Sequence, residues 1–259
     1  MHALFGRRIL VAGADGGIAR AAITELRARG AMVCGVDLRE GEGIIAADLR
    51  DMVATRAAVE RAAEEMGGID ILINCAGIGT VQDAGAMPDD DARRTLDINF
   101  WGPWVTTATA LPLLLEAKGH VVNVTSFLAV GTIPFASAYC ASKHALEAYS
   151  DCLRVEYAGR LSVTTVRPGY VRTAIHDGPA ARGLSLEGMT NEDSVGQAAA
   201  AIVRACTHRP RTLTTSRQTA TALFMAKHFP HVVEMAIMRR GRDRHFTLGA
   251  LTEEPRSRR

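Results

Sequence analysis

The sequence predicts an α/β protein in which a Rossmann-type, doubly wound parallel sheet of seven strands carries helices on both faces. Two patterns lead to this fold class. Short β-like runs alternate with helix-length amphipathic stretches from residue 8 to residue 215, which is typical of a parallel sheet joined by helical crossovers. The first run also passes through a glycine-rich turn directly into a helix-like stretch, the joint expected in the first unit of such a sheet.

Seven strands and six helices follow from this alternation. The strands are predicted at residues 8–12, 31–36, 44–47, 69–74, 120–125, 162–167 and 211–215. The helices are predicted at residues 17–29, 52–66, 89–98, 103–117, 137–158 and 191–207. Right-handed crossovers would wind these elements into one sheet.

Two regions fall outside the alternation. Residues 173–190 form an unusually long connection with four glycines or prolines, which favours a flap over a site. Residues 217–240 are expected to form a C-terminal helical extension, in which Pro230 suits the first turn of a second helix. We therefore predict one domain over residues 1–240 and a polar tail, 241–259, whose composition is typical of disorder.

The composition sets limits on function. A chain of 259 residues that is 47% hydrophobic and 22% charged is typical of a globular protein, and its net charge of +2 gives no reason to expect a nucleic-acid partner. Five scattered cysteines suggest neither a disulfide framework nor a metal site, so we expect reduced thiols and no metal. Neither a signal peptide nor a membrane-spanning stretch is apparent, and the expected location is the cytoplasm.

The glycine-rich turn at residues 12–19 (AGADGGIA) opens the first predicted helix. Small residues there allow a pyrophosphate to approach the backbone N–H groups at the positive end of a helix. Such a turn also joins strands to helices tightly without binding anything. The second strand is followed by Asp37, whose carboxylate can accept hydrogen bonds from ribose hydroxyls, and this favours a dinucleotide site.

Tyr139 and Lys143 lie four residues apart in a predicted helix and would project side by side. At about 4 Å and an effective dielectric near 20, an ammonium stabilises a phenolate by roughly 4 kcal/mol. That would lower a tyrosine pKa from ~10 to about 7, where the side chain can act as a base. The same spacing also occurs on many solvated helix faces.

The chain resembles the short-chain dehydrogenase/reductase family over about residues 6–215. The resemblance rests on residues that occur in the family's order and spacing: the turn at 12–19, Asp37, Asp48, the run Asn74-Cys75-Ala76-Gly77, Asn99, Ser126, Tyr139, Lys143 and Pro168-Gly169. Ser126 precedes Tyr139 by thirteen residues, and Lys143 follows it by four. Taken singly, Ser126, Asn99 and Asp48 could also end a strand or cap a helix.

The resemblance implies an oxidoreductase with a catalytic tetrad. Tyr139 would exchange a proton with the substrate oxygen while a hydride moves between the substrate carbon and the nicotinamide ring. Lys143 would hold the nicotinamide ribose and depress the pKa of Tyr139, Ser126 would hydrogen-bond the substrate oxygen, and Asn99 would keep a water in a proton relay through Lys143. The implied cofactor contacts are Gly13, Asp15, Gly16, Gly17, Ile18, Asp37, Leu38, Asp48, Leu49, Asn74, Ala76, Gly77, Tyr139, Lys143, Pro168, Gly169, Val171 and Thr173.

Three residues depart from the family's pattern. Ala12 replaces the usual threonine before the first glycine, Ala19 replaces the third glycine of the turn, and Cys75 replaces the second asparagine of the Asn-Asn-Ala-Gly run. None of these changes removes a reacting group. They bear on the local rigidity of the loops.

The expected cofactor is NAD, because the carboxylates of Asp15 and Asp37 would repel the 2′-phosphate of NADP. Arg39, two residues past Asp37, could instead reach such a phosphate, so NADP stays the alternative.

The expected substrate is a hydrophobic, secondary alcohol or the corresponding ketone or aldehyde. By the resemblance, the pocket includes Phe127, Leu128, Phe135, Tyr170 and Ile175, although these side chains could equally pack in the core. His176, in the flap, is interpreted as an exposed loop residue and not as a catalytic one. The C-terminal region is similar to the subset of the family that acts on retinoid, steroid or other lipid-like alcohols.

The apolar face of the C-terminal helices could close the pocket, pack on another subunit or make a weak peripheral contact with a membrane, and packing is favoured. The resemblance also implies a homodimer or homotetramer formed through helices 103–117 and 137–158.

Two other classes of function, a cofactor-sensing regulator and a hydrolase, fit the sequence less well. A regulator that senses NAD(H) without turnover would have no physical need of the Ser126, Tyr139 and Lys143 cluster. A hydrolase on a similar sheet is not supported, because the sequence has no Gly-x-Ser-x-Gly nucleophile turn.

Overall fold

The computed structural model of the chain describes residues 4–181 and 192–243. Part of the predicted flap, residues 182–190, and most of the predicted tail, residues 244–259, lie outside the described residues. Residues 241–243 belong to the last helix, which therefore continues three residues into the predicted tail.

The main sheet has the seven parallel strands that the sequence predicts. They are β1 (Arg8–Ala12), β2 (Met32–Asp37), β3 (Ile44–Ala46), β4 (Ile71–Asn74), β5 (His120–Val124), β6 (Ser162–Arg167) and β9 (Thr212–Thr214). The strand order is β3-β2-β1-β4-β5-β6-β9. The chain therefore crosses over after β3, and the two halves of the sheet wind in opposite directions from β1 and β4.

Helices cover both faces of this sheet. They are α1 (Gly17–Ala28), α2 (Met52–Met66), α3 (Asp90–Leu96), α4 (Gly102–Glu116), α5 (Ser137–Glu156), α6 (Asp177–Ala181), α7 (Val195–His208), α8 (Arg217–His228) and α9 (Pro230–Asp243). Successive side chains of a strand point to opposite faces, so the central strands supply two hydrophobic cores. Ile9 and Val11 of β1 lie in the core under α1 and α7, whereas Leu10 lies in the core under α2 and α4.

Three local features were not predicted. Tyr170–Val171 (β7) pairs in parallel with Glu192–Asp193 (β8) to form a second, two-stranded sheet. The described part of the flap contains a 3-10 turn, Ala174–His176, followed by α6. Two-residue strands and a five-residue helix are too short to give a periodic sequence signal.

The predicted gap between the third and fourth helices is absent. α3 runs through a π-helical turn, Asp97–Trp101, directly into α4. A π turn inserts one residue into the helical repeat, which shifts the hydrophobic periodicity and gives the sequence the appearance of two separate helices.

The predicted C-terminal helices are present as α8 and α9. The Ser216 hydroxyl caps α8 by accepting a hydrogen bond from the backbone N–H of Thr219 (3.1 Å), and Pro230 begins α9, as its fixed φ angle favours. Across residues 4–181 and 192–243, no helix is both long enough and apolar enough to cross a membrane.

Candidate active site

A cavity of about 1150 Å³ lies at the carboxyl ends of the parallel strands, where ligands bind in sheets of this topology. Of the predicted catalytic, cofactor and substrate residues, all but Asn74, Asn99 and Phe135 line it. Those that do are Gly13, Asp15, Gly16, Gly17, Ile18, Asp37, Leu38, Asp48, Leu49, Ala76, Gly77, Ser126, Phe127, Leu128, Tyr139, Lys143, Pro168, Gly169, Tyr170, Val171, Thr173 and Ile175.

The glycine turn forms one end of the cavity. Gly13 has a φ angle of 81°, and a Cβ atom at this position would lie 2.4 Å from the backbone N and Cα of Ala76, so no other residue fits without moving the chain. Gly16 has no side chain with which to cap α1. The first turn of α1 therefore presents its backbone N–H groups at the cavity wall, where a phosphate can accept them.

Asp37 lies at the carboxyl end of β2 and stabilises the glycine turn by hydrogen bonding. Its carboxylate accepts hydrogen bonds from the backbone N–H groups of Asp15 (2.8 Å) and Leu38 (2.7 Å). The side chain of Asp15 forms an ion pair with Arg20. The two carboxylates that the sequence places near the cofactor are thus not equivalent, since an arginine partly neutralises Asp15.

Asp48 and Leu49 form the neighbouring wall. The Arg50 guanidinium donates to both carboxylate oxygens of Asp48, at 3.0 and 2.9 Å from Nε, and this contact lowers the pKa of the carboxyl group. Leu49 is buried beneath it. Arg50 and Arg39 also line the cavity. Of the two, the sequence indicates only Arg39 as a possible partner of a 2′-phosphate.

Tyr139 and Lys143 both reach the cavity from α5, as their spacing predicts. The Lys143 Nζ lies 5.8 Å from the centroid of the Tyr139 ring and donates a hydrogen bond to the carbonyl of Val124 (3.1 Å). Burial of this ammonium lowers its pKa to about 8.

The predicted depression of the Tyr139 pKa is not found. Burial raises the pKa of Tyr139 to about 12, and a hydrogen bond with Ser126 opposes this rise only in part. Spacing along a helix carries no information on burial, whereas the tertiary structure places the phenol in a low-dielectric site that disfavours its charged form. Tyr139 is therefore a protonated phenol at neutral pH.

Ser126 follows β5 and faces Tyr139 across the cavity. Its backbone is extended, and its hydroxyl oxygen accepts a hydrogen bond from the N–H of Leu128 (3.1 Å), which caps the 3-10 turn Phe127–Ala129. The cap fixes the orientation of the side chain. The hydroxyl is thereby held beside the Tyr139 phenol.

Asn99 lies in the π-helical turn behind the cavity wall. Its amide nitrogen donates to the carbonyl of Ile78 (3.0 Å) and to the Ser142 hydroxyl (3.1 Å), and its oxygen accepts from the N–H of Ile78 (2.9 Å). The side chain thus fixes the segment that follows Gly77 against α5. Its role in a proton relay stays a prediction.

Asn74 does not line the cavity, and a contact between this residue and the cofactor stays a prediction. Asn74 is buried inside the fold, where its amide nitrogen donates to Thr107 (3.1 Å) and Asn123 (2.8 Å) and its oxygen accepts from Thr106 (2.7 Å). Strand alternation directs the side chain toward α4 and β5, away from the cavity. The next residues of the run, Cys75, Ala76 and Gly77, line the cavity instead.

The far end of the cavity has apolar walls, and two predictions need correction there. Phe135, whose φ angle is 61°, does not line it, whereas Ile133 and Ala136 do. His176 is not an exposed loop residue. Its ring packs on Tyr170 at 4.6 Å, its Nε2 lies 3.1 Å from the Val171 carbonyl, and burial lowers its pKa.

The C-terminal helices close this far end. Their cavity-lining residues are Gln218, Thr219, Ala222, Met225, Val232, Val233, Ala236, Ile237 and Arg240. The sequence predicts this apolar face and favours packing over closure of the pocket, whereas in the structure the face lines the cavity. The recurrence of apolar residues at positions 232, 233, 236 and 237 is the signal that indicates one helix face.

Asp193 was missed because it belongs to a two-residue strand. It is 2% exposed, and its carboxylate accepts hydrogen bonds from the Gly169 N–H (3.1 Å), the Thr219 hydroxyl (2.7 Å) and the Thr215 hydroxyl. This cluster connects the end of the flap, the Pro168-Gly169 loop and the start of α8. No local motif in the sequence marks such a convergence.

Comparison with known proteins places these residues in a family. The family model for short chain dehydrogenase matches residues 7–181. The mouse protein dehydrogenase/reductase SDR family member 7B is 36% identical over 189 residues, which cover 64% of this chain and 58% of the relative. A 3-ketodihydrosphingosine reductase from Bacteroides thetaiotaomicron is 30% identical over 176 residues, which cover 65% of each chain. The matches thus span about half to two thirds of these relatives' length.

Solved structures show the same fold. A short chain dehydrogenase from Burkholderia cenocepacia in complex with NADP superposes with a TM-score of 0.78 at 23% identity, covering 91% of this chain and 99% of that one. At this identity the likeness supports the architecture alone.

Proposed function

Because the chain belongs to the short-chain dehydrogenase family, we propose that it is an oxidoreductase that transfers a hydride between a nicotinamide dinucleotide and a hydrophobic alcohol or ketone. The observation that carries this proposal is the convergence of Ser126, Tyr139 and Lys143 on the cavity that begins at the uncapped end of α1. A proton donor and a phosphate-binding helix end in one enclosed space are what this reaction requires.

The cavity fits a dinucleotide. Gly16 and Gly17 line the cavity without side chains, and together with the uncapped first turn of α1 they leave room for a pyrophosphate there. Asp37 would hold the adenosine ribose, Asp48 and Leu49 the adenine, and Lys143 the nicotinamide ribose. The nicotinamide supplies the hydride-transfer chemistry when it is bound.

We propose NAD as the preferred form, with NADP as the alternative. The Asp37 carboxylate is held by two backbone N–H groups at the end of β2, so it cannot turn away from a 2′-phosphate without losing both hydrogen bonds. Because Asp15 pairs with Arg20, its carboxylate repels a 2′-phosphate less strongly than the sequence alone suggests. Arg39 also lines the cavity. The preference therefore rests on Asp37.

The protein's own residues can supply the proton that reduction of a carbonyl requires. With a pKa raised to about 12, Tyr139 carries its proton at neutral pH and can donate it to a substrate oxygen. Ser126, whose hydroxyl oxygen accepts from the Leu128 N–H, would turn its one O–H from the phenol to the substrate oxygen when substrate binds. The Lys143 ammonium favours the phenolate that forms after proton transfer.

The substrate is proposed to be hydrophobic and lipid-like. The far end of the cavity is formed by Phe127, Leu128 and Ile175 on one side and by apolar residues of α8 and α9 on the other. The similar protein named 3-ketodihydrosphingosine reductase bears the name of a ketone on a long hydrocarbon chain, which supports the same class here.

Tyr139→Phe tests this function. The phenylalanine keeps the ring and removes the proton, so turnover of hydrophobic ketones should fall by at least about 10²-fold, while NAD(H) binding, followed by nicotinamide fluorescence, is retained. Thr221→Val, an exposed change in α8 outside the cavity lining, is the control. A wild-type protein that binds NAD(H) but turns over no member of a ketone and alcohol panel would support a regulator instead. Preference for sugars over hydrophobic substrates would contradict the substrate class.

Self-association through α4 and α5 is also proposed. Trp101, at the end of the π turn, is 48% exposed, Trp104 is 42% exposed, and Trp104 stacks on Tyr149 of α5 at 4.5 Å. Large aromatic side chains left half in water favour an interface. Analytical ultracentrifugation of Trp104→Glu should show dissociation, and an unchanged molar mass would contradict this interface.

A further inference from the structure

The two C-terminal helices carry an apolar surface on the side that faces solvent. We define the outer face of α8 and α9 as Phe224, Phe229, Val232, Met235 and Met238, each between 49% and 57% exposed. The rings of Phe224 and Phe229 lie 6.5 Å apart, and Val232, Met235 and Met238 follow at every third residue of α9, so the five side chains are grouped, whereas apolar residues scattered singly over a surface need no explanation. The patch therefore requires an occupant.

The outer face is distinct from the side of α9 that closes the cavity. Val233 and Ile237, one turn apart, line the cavity, whereas Met235 and Met238 lie on the other side of the same helix. Val232 belongs to both surfaces and marks the rim. The helix is thus apolar on two sides, and packing over the cavity accounts for only one of them.

The C-terminal part of the sequence is basic, and α8 and α9 up to residue 240 carry four Arg or Lys against one Glu. Residues 217–259 contain nine Arg or Lys and four Asp or Glu, a net charge of +5, whereas residues 1–216 contain twenty-one against twenty-four, a net charge of −3. Next to the outer face lie Lys227, His228, His231 and Arg239, while the one acid of α8 and α9 up to residue 240 is Glu234, which lies 3.4 Å from His231. The patch is therefore apolar with a basic surround.

We propose that the outer face of α8 and α9 docks on the surface of an anionic lipid bilayer. Apolar side chains that enter the acyl boundary, with basic residues among the headgroups, are the two components of interfacial helix binding. Basic residues near such a surface are attracted by the negative potential of its headgroups. A second copy of the chain is disfavoured as the occupant, because a two-fold contact would bring two strongly basic segments together.

Docking in this orientation has a consequence for the cavity. Because Val232 lies at the rim and Val233 and Ile237 form the wall behind it, the apolar end of the cavity would lie next to the lipid. This consequence rests on the proposed function, whereas the docking itself does not and is tested without substrate or turnover.

The test is co-sedimentation of the full chain with vesicles of phosphatidylcholine alone and of phosphatidylcholine with one quarter phosphatidylserine. The wild-type protein should bind the anionic vesicles at least tenfold more tightly than the neutral ones, and salt should weaken this binding. Met235→Asp/Met238→Asp should reduce it at least tenfold. Val53→Asp/Met87→Asp adds the same charge at two residues that are 80% and 87% exposed elsewhere, and it should bind as the wild type does.

Circular dichroism and NAD(H) titration of each variant show whether it is folded. Equal vesicle binding by the two double variants, no preference for anionic lipid, or no vesicle binding by the wild type would each overturn the proposal. A fall in molar mass of Met235→Asp/Met238→Asp in light scattering, together with no vesicle binding by the wild type, would assign the face to contact between copies.

Discussion

Gly13 allows a direct test of how the cofactor end is built, because both its backbone angle and its surroundings require glycine. A Cβ atom there would lie 2.4 Å from the backbone of Ala76, and ordinary contact begins near 3.4 Å. Gly13→Ala therefore has to move the turn and the 76–77 segment apart by about 1 Å. Both segments line the cavity, so the displacement falls within the proposed cofactor site.

The expected loss of stability has two parts. An alanine with the left-handed φ angle costs about 1–2 kcal/mol, and forced displacement of packed backbone costs about 1–3 kcal/mol, so that Gly13→Ala should lower the free energy of unfolding by about 2–5 kcal/mol. Gly159→Ala is the matched control. Its φ angle of 76° is nearly that of Gly13, but a Cβ atom there has nothing within 4 Å, so it should lose the first part alone.

Urea unfolding of both variants separates the two parts, and NADH titration measures the site. A displacement of about 1 Å at a positioned site is expected to weaken function by about 10²-fold, so Gly13→Ala should bind NADH far more weakly, whereas Gly159→Ala should bind it as the wild type does. Equal losses of unfolding free energy and equal NADH affinities in the two variants would contradict the steric requirement for glycine at position 13.

Three further predictions concern charge. Asp37→Ser removes the carboxylate that would repel a 2′-phosphate and should shift the ratio of NADP to NAD affinity by about tenfold or more, which is about 1.4 kcal/mol; an unchanged ratio would assign the preference elsewhere. Lys143 has a folded pKa of about 8 against 10.5 unfolded, so the unfolded chain binds more protons at this site between these values and the contribution of Lys143 to stability rises with pH across that window. Burial raises the pKa of the Cys75 thiol to about 11, which acts in the opposite direction above pH 9, so the measured quantity is the stability of the wild type minus that of Lys143→Met in urea unfolding. This difference should rise with pH, and a constant difference would argue against a depressed pKa. Asp193→Asn weakens the acceptor of three hydrogen bonds and should cost about 1–3 kcal/mol, measured by thermal unfolding. Glu192→Gln, at the exposed neighbouring position, should cost little, and equal losses would remove the special role of Asp193.

The parallel sheet could be predicted from the sequence because its central strands are buried on both faces, whereas the strand order was not predicted. β4 and β5 are buried along their whole length, and such strands are largely apolar in sequence. The glycine turn was predictable for a related reason, since the contact of Gly13 with Ala76 excludes every side chain. Phe135 could not be placed, because its neighbours Ile133 and Ala136 are equally apolar and only the turn of the backbone decides which of them faces the cavity.

Residue identity and spacing by themselves determined the fold class, the glycine turn at the start of α1 and the presence of Ser126, Tyr139 and Lys143 around one cavity. These features depend on local chain geometry, which a helical or strand repeat encodes directly. The tertiary structure alone decided that Asn74 points into the fold, that burial raises the pKa of Tyr139, and that α9 has one apolar side on the cavity and another in solvent. The direction in which a side chain points, the desolvation of its ionisable group and its exposed fraction depend on what packs against it from distant parts of the chain. No local sequence pattern carries that information.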